Sequence, residues 1–369
     1  MRTIRRLIYG EVIRAVAFVT LAFLTLFFFF DLVDQLDAVS RYARAGYSLP
    51  YALLYVALLV PSHVYELLPI AVLIGTIYVM ARLAESSEFT ILRTSGLGPL
   101  RALTTLLVLG AGFVALTFVF GDYLTPQANR SAQMLRSRFS GEISVGLTGA
   151  WLKDRQPKAS YSVNVGAMNA DGAMSNVRIF EFDPAGGLRS ILKAPKATFG
   201  SDGAWRLQDV QQRQFNGEAA PGRPAIDTRT LPELAWSTQL SGDMVAAALL
   251  SPDRMKTVDL FQYIRHLKAN GQSAQRYEIE FWRKVFYPLS CLVMMVLALP
   301  FAYLHFRTGN ITGYVFLGVL VGISFFLLNN VFGFIGNLRD WEPWLAAAAP
   351  GFLYSLLSLA AFGWLVLRQ

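Results

Sequence analysis

Three histidines, His63, His266 and His305, and one cysteine, Cys291, are the only imidazole and thiol groups in this 369-residue chain. They are scattered, with no His-Glu-x-x-His pair and no Cys–His metal spacing, so no metal centre is indicated. None of the seven lysines (Lys153, Lys158, Lys193, Lys196, Lys256, Lys268, Lys284) follows a glycine. A GxxxxGK[ST] phosphate loop is therefore excluded, and any ATP-driven work needs a second chain to hydrolyse the nucleotide. There is no G-x-S-x-G nucleophile elbow. One constellation with chemical potential is Glu66 near His63, the natural site of a lipid-acting hydrolase or transferase if both lie in a membrane. A lone cysteine excludes an intramolecular disulfide and leaves the compartment unread.

A second constellation suits binding. Residues Ala81 to Gly96 read ARLAESSEFTILRTSG. Ser86 or Ser87 can cap a short helix, Glu88 favours its positive end, and Gly96 can terminate it. With Phe89, Ile91 and Leu92 facing water, such a helix fits a groove on a soluble partner. A loop helix lying on the membrane is the equal alternative.

These residues sit in a strongly apolar chain. Apolar residues make up 54% and charged residues 16%, with a mean hydropathy of +0.41. A soluble protein carries about 25% charged residues, so an ordinary soluble enzyme and a disordered chain are both excluded. A crossing of about 30 Å takes about 20 residues. The first candidate runs from Ala15 to Phe30 and on into Leu36; Asp31 and Asp34 stand where a signal-peptide cleavage site would be, so it reads as an uncleaved span. Tyr51 to Ala81, interrupted by Pro61, Glu66 and Pro69, is a kinked span or a short interfacial helix followed by a span. Ala102–Gly121, Val285–Tyr303, Ile311–Ile335 and Trp344–Leu367 supply the others. The fold class is thus a polytopic α-helical membrane protein with six transmembrane helices in two sets of three, separated by a large polar insert.

The net charge of +8 reads as loop arginines rather than a nucleic-acid surface. Arg2, Arg5, Arg6, Arg14, Arg82, Arg93, Arg101, Arg307 and Arg368 fall on one side, against Arg41, Arg44 and Arg339 on the other. Nine against three places both termini in the cytoplasm and the insert outside, in the periplasm of a two-membrane bacterium. The insert reads as β: Tyr161–Val165 alternates, Val177–Phe182 precedes the turn Asp183-Pro-Ala-Gly-Gly187, and Leu188–Leu192 and Ala204–Leu207 follow, which suggests a sandwich or jelly-roll. Arg254–Asn270 carries a helical stripe of Leu260, Phe261, Ile264 and Leu267, suited either to the membrane surface or to packing on the β domain.

Taken in order, ARLAESSEFTILRTSG, Asp34-Gln35-Leu36, Pro61 with Pro69, Gly121-Asp-Tyr-Leu-Thr-Pro-Gln127, and Gly271-Gln272 through Arg276-Tyr277 resemble the lipopolysaccharide-export permease family (LptF/LptG type), closer to its LptG branch. The resemblance covers essentially the whole chain and implies a β-jelly-roll between two three-span halves. The implied division is 1–129, 130–253 and 254–369, with a coupling helix at about 86–96 and the interfacial helix opening the last part. It implies a transport subunit rather than an enzyme: one permease subunit of an inner-membrane ABC transporter that extracts lipopolysaccharide and passes it to a periplasmic bridge. Implied partners are a second LptF-type permease, an LptB-type ATPase dimer, a single-span LptC-type protein and an LptA-type bridge protein, with no nucleic acid. No cofactor or metal is implied in this chain, with ATP and Mg on the ATPase.

The resemblance assigns ATPase coupling to Ser87, Glu88, Phe89, Leu92, Arg93 and Gly96. The LptG branch often places basic residues at the outer end of the first span, where this chain has Asp31, Asp34 and Asp37. Phosphate recognition is therefore expected at Arg41, Arg44, Arg130, Arg136 and Arg138, whose guanidinium forks match phosphate geometry. Phe27 and Phe30 are expected to line acyl chains. A lipid-modifying enzyme built on Glu66 and His63 and a passive scaffold for the β domain are the rival readings.

Overall fold

The computed structural model describes residues 2–140, 149–156, 159–169, 172–200, 204–215, 226–248, 252–303 and 311–367. His305, Arg307 and Arg368, used above, lie outside them. Two compact units emerge. One comprises Met1–Asp37, Val56–Asn129 and Gln275–Gln369; the other comprises Ala38–Tyr55 and Arg130–Ala274.

The first unit carries the membrane helices. Among the described residues, six helices are long and apolar enough to cross a bilayer: Ile4–Arg41, Leu49–Glu85, Pro99–Arg136, Gln275–Tyr303, Ile311–Leu338 and Pro343–Trp364. They contain helices α1 (Arg2–Arg41), α2 (Leu49–Glu85), α4 (Pro99–Val119), α5 (Thr125–Ser140), α8 (Gln275–Phe286), α9 (Ser290–Ala298), α10 (Ile311–Leu338) and α11 (Pro343–Leu367). The second span is one continuous helix carrying both Pro61 and Pro69, not a separate interfacial piece and span. It forms the centre of the unit, where Ala71, Val72 and Leu73 are fully buried. α1 lies against it at Gly75, whose absent Cβ would stand 2.8 Å from the Val16 backbone. α1 otherwise exposes Phe18 (74%) and Leu21 (64%), as a helix facing lipid can.

The third and fourth spans are both irregular. Between α4 and α5 the chain widens into a π-helical turn, Phe120–Leu124. Between α8 and α9 it tightens into a 3-10 turn at Tyr287–Leu289 around Pro288. The two irregularities meet. The buried Lys284 donates from Nζ to the Gly121 carbonyl at 3.1 Å, and the Tyr287 hydroxyl donates to the Glu66 carbonyl of α2 at 2.5 Å. Arg283 reaches Glu280 at 3.4 Å and Asn330 of α10 at 3.3 Å. At the head of α8, Gln275 donates to the carbonyls of Gly336 and Trp341. Side-chain donors on α8 and its 3-10 turn thus hold spans 2, 3 and 5 together.

In the second unit, β1 (Ala150–Gln156), β2 (Ala159–Met168), β3 (Met174–Phe182), β4 (Leu188–Phe199), β5 (Ala204–Phe215) and β6 (Ile226–Ser237) form one antiparallel sheet. The inserted β domain is present, and its order refines the sandwich or jelly-roll expectation. Strands pair strictly as β1-β2-β3-β4-β5-β6, with no crossover between non-neighbours. At the β3–β4 hairpin a tight turn forms, where Asp183 Oδ1 accepts from the Ala185 and Gly187 amides at 2.9 and 2.8 Å, as an Asx turn does. The core includes Leu152, Val163, Val165, Ile179 and Trp205, whose Nε1–H donates to the Leu240 carbonyl at 2.8 Å.

After the short α6 (Gly242–Ala248), α7 (Thr257–Ala269) buries Leu260, Tyr263, Ile264 and Leu267. It falls in the same compact unit as the sheet. Asn270 Oδ1 accepts from the Arg155 amide at 2.9 Å and Gln272 Oε1 from the Lys153 amide at 3.2 Å. These side chains bond to the outer edge of β1 and tie the end of α7 to the sheet.

Packing at the π turn yields a test. A Cβ on Gly121 would lie 2.4 Å from the Tyr65 ring, whereas one on Gly112 of the same span meets nothing within 4 Å. Overpacking a filled core costs about 1–3 kcal/mol. Gly121→Ala is expected to lower the melting temperature of the detergent-solubilised protein, with Gly112→Ala unchanged. Equal melting of the two variants would refute the close Tyr65 contact.

Candidate functional site

The membrane unit turns sharply from α2 into α3 (Glu88–Thr94). The capping expected of Ser86 or Ser87 is not realised. The Ser86 hydroxyl turns back to the Leu83 carbonyl, and Ser87 is left-handed, with φ 58° and no side-chain bond to the helix. A two-residue reversal leaves no room for the extended backbone that a capping serine adopts. Glu88 does occupy the first turn, where its charge meets the positive helix end. Gly96 terminates the helix as expected: at φ 98° it donates to the Arg93 carbonyl at 2.9 Å, and Leu97 donates to the Leu92 carbonyl at 3.0 Å. This pair of bonds is a Schellman motif, which an L-residue would strain.

The faces of α3 differ from the expectation. Phe89 is only 2% exposed and meets the Tyr303 ring edge-on at 4.9 Å. It is the root of the helix, not part of an outward surface. Periodicity in a seven-residue helix does not say which apolar side chain turns inward, and Tyr303, far away in sequence, decides it. Leu92 is half-buried, and Leu97 closes the same core at 1% exposure. The Arg93 guanidinium lies over the Tyr303 ring at 5.2 Å, within cation–π range. The outward face comprises Ser87, Glu88, Thr90, Ile91, Arg93 and Thr94. Ile91, 63% exposed, supplies its apolar centre.

His63 finds a partner other than Glu66. His63 Nε2 instead stands 2.6 Å from Asp31 Oδ2, with the Phe27 ring 5.0 Å away. Asp31 is thereby engaged within the membrane unit. Phe27 is half-buried at this pair, while Phe30 is exposed beside Phe29. Cys291 is buried against the Thr117 hydroxyl at 3.3 Å.

The five arginines expected to hold phosphate all lie in the second unit, where they divide. Arg41 and Arg44 flank the turn after α1 and are exposed, as is Arg138. Arg136 stacks over the Tyr55 ring at 5.8 Å, while Phe139 packs on Tyr47 and Tyr51. α5 is thereby held against the turn bearing Arg41 and Arg44. Burial raises the Tyr47 phenol pKa, and the Arg136 charge opposes that rise. Arg130 is committed elsewhere, to Asp259 of α7 at 2.8 Å. Tyr55, Phe139 and Asp259 carry no motif that would have flagged them.

Residues 6–366 match the family described as lipopolysaccharide export system permease LptF/LptG. The lipopolysaccharide export system permease protein LptG of Escherichia coli (strain K12) is 28% identical over 357 residues, covering 95% of each chain. LptG of Haemophilus influenzae (strain ATCC 51907 / DSM 11121 / KW20 / Rd) is 28% identical over 340 residues, covering 91% of this chain and 90% of its own. Six apolar helices with an inserted antiparallel sheet fit that match along its whole length. The chain belongs to the LptF/LptG family and is a membrane permease subunit of the lipopolysaccharide export system, not an enzyme.

Proposed function

We propose that this chain is one of two permease subunits of an inner-membrane ABC transporter, with both termini and α3 cytoplasmic and the β unit periplasmic. The observation that carries the reading is α3 itself, a short helix rooted by Phe89 and presenting Glu88, Ile91 and Arg93 outward. A rooted helix transmits displacement into the spans it is packed on; a helix lying loosely on lipid does not. Its proposed seat is a groove on an LptB-type ATPase dimer, which binds ATP and Mg and does the hydrolysis. An LptF-type permease completes the membrane half, and LptC-type and LptA-type proteins receive the lipopolysaccharide. Ser87, Glu88, Arg93 and Ile91 are assigned to the docking surface, while Phe89, Leu92 and Gly96 hold its shape.

Phosphate recognition is assigned to Arg41, Arg44, Arg136 and Arg138, and acyl contact to Phe27 and Phe30. Arg130 contributes less, since Asp259 already neutralises it.

Orientation is tested by cysteine labelling in a Cys291→Ser background. A cysteine at Ser190 is buried, so Arg189 is the better outside reporter. A membrane-impermeant reagent added from outside should label a cysteine replacing Arg189 and not one replacing Ser87. The opposite pattern would invert the topology.

Docking is tested by separating face from root. Ile91→Asp and Glu88→Lys should each weaken ATPase association by about 2 kcal/mol or more without lowering the melting temperature, because interface energy concentrates in few residues. Phe89→Ala should lower the melting temperature, by about 3 kcal/mol of lost burial. Wild-type association in both surface variants would return α3 to a plain loop helix.

For the phosphate assignment, a photo-crosslinker at Ser48 reports lipopolysaccharide occupancy. Removing Arg136 and Arg138 together should reduce crosslinking more than removing Arg93, with assembly checked separately. Unchanged crosslinking would reject those two arginines.

A further inference from the structure

A cleft of about 260 Å³ opens at the α3 end of the membrane unit, lined by Ile4 and Arg5 of α1, Leu97 after α3, and Arg101 and Thr105 of α4. Its walls are of two kinds. Ile4 and the buried Leu97 are apolar, while Arg5 and Arg101 are exposed cations. Arg101 spends one N–H on the Gly96 carbonyl at 2.9 Å; a guanidinium has five such donors, so most of its fork is uncommitted by that bond. The Thr105 hydroxyl donates to the Arg101 carbonyl at 2.7 Å, which keeps it within its own helix.

Among the described residues no carboxylate lines the cleft. The first acid of α1, Glu11, is already held by Arg14 at 2.8 Å and Arg82 at 3.3 Å. The start of α4 adds to the positive field, since its N-cap, Gly98, offers no side chain to the first-turn amides. Two like charges sharing one concavity without a counter-charge form a field that an anion relieves.

The apolar surface nearby selects among anions. Leu7 stands one turn along α1 from Ile4, Leu100 beside Arg101 and Val108 one turn along α4 from Thr105, and they are 46%, 69% and 60% exposed. A free phosphate would use only the guanidiniums, and an acidic face of a soluble protein would leave these side chains in water. A phosphodiester headgroup with its acyl chains uses both, as basic pockets between membrane helices do. We propose that the Arg5/Arg101 cleft binds the headgroup of an anionic phospholipid. Through Leu97 and Gly96 this site touches the root of α3, so bound lipid braces the helix that carries the docking surface. The site stands on the cleft's own geometry, independent of ATPase docking.

The test uses the assembled complex in mild detergent, titrated with phosphatidylglycerol, phosphatidylcholine or inorganic phosphate, with bound lipid counted by native mass spectrometry. The expected result is a saturable phosphatidylglycerol adduct that neither phosphatidylcholine nor inorganic phosphate displaces. Arg5→Gln with Arg101→Gln should weaken it by about tenfold or more, as loss of charge-assisted forks requires. Arg5→Gln alone, which leaves the Arg101–Gly96 bond in place, gives the same reading if the double variant does not assemble. Undiminished phosphatidylglycerol binding in the variants overturns the proposal. So does displacement by inorganic phosphate, which would make this a free-anion site. Loss of ATPase association with lipid binding intact also overturns it, assigning the cleft to a protein contact. ATPase association, measured in parallel, separates failure of this site from failure of the docking helix.

Discussion

In hydrocarbon no water is available to satisfy a backbone carbonyl that its own helix has released, and each such group costs several kcal/mol if left bare. That constraint organises the membrane unit. The π turn at Phe120–Leu124 disturbs the regular bonding of the third span. The Gly121 carbonyl receives Lys284, and the Glu66 carbonyl, next to the Tyr65 carbonyl that Pro69 leaves without its helical donor, receives Tyr287. Both donors sit at or beside the 3-10 turn in the fourth span. The irregular parts of three spans therefore answer one another. Gly121 is small because the Tyr65 ring fills the space where its side chain would be, and Tyr65 lies against Tyr287 at 5.1 Å. Intramembrane cations persist only where partners of this kind exist. Lys284 is a structural ammonium of that kind, and its burial depends on the π turn as much as the π turn depends on it.

The same reasoning explains why α3 has two unlike faces. It is too short to be stable alone, since helix nucleation is costly and short helices lack the bonds to repay it. Its stability comes from Phe89 and Leu97 inserted among Leu83, Ala102 and Leu106. With the inner face committed to the core, Ile91 is left exposed between Glu88 and Arg93. Tyr303 serves both sides, receiving Phe89 on its edge and Arg93 on its face. Movement of the end of the fourth span would shift α3, and movement of α3 would shift the fourth span.

Much of this architecture was legible in the sequence because the signals were local. Span-length apolar runs mark all six membrane helices, and Asp183 to Gly187 marks a hairpin that forms as read. Gly96 ends α3 because only its own backbone angle is needed. Where legibility failed, the deciding partner was distant. Tyr303 lies more than two hundred residues from Phe89, and no spacing rule links them. Asp31 looked like an obstacle to phosphate until His63 was found beside it, 32 positions along the chain. The environment of α7 was undecidable from its stripe alone, because lipid and a sheet edge demand the same amphipathic face. Asn270 and Gln272, lying just beyond the stripe, tie the end of the helix to the sheet by bonding to β1. The strand order escaped for a similar reason: alternation identifies strands but does not say which neighbours pair.

Charge at the α3 end of the membrane unit shows how one composition serves several demands at once. Among the described residues, Arg5, Arg6, Arg14, Arg82, Arg93 and Arg101 fall in the segments at that end, against Glu11, Glu85 and Glu88. The structure does not spread these charges evenly. Glu11 gathers Arg14 and Arg82, and Arg93 lies on Tyr303. Exposed ion pairs of this sort add little stability, about 0–1 kcal/mol each, so folding alone does not account for the excess. What the pairing does accomplish is to remove some cations from competition and leave Arg5 and Arg101 as the pair that shares a concavity. A surplus read for orientation by its sum thus also has a distribution of its own. The distribution is set by which arginines the few acids and rings reach, a property of the fold and not of the count.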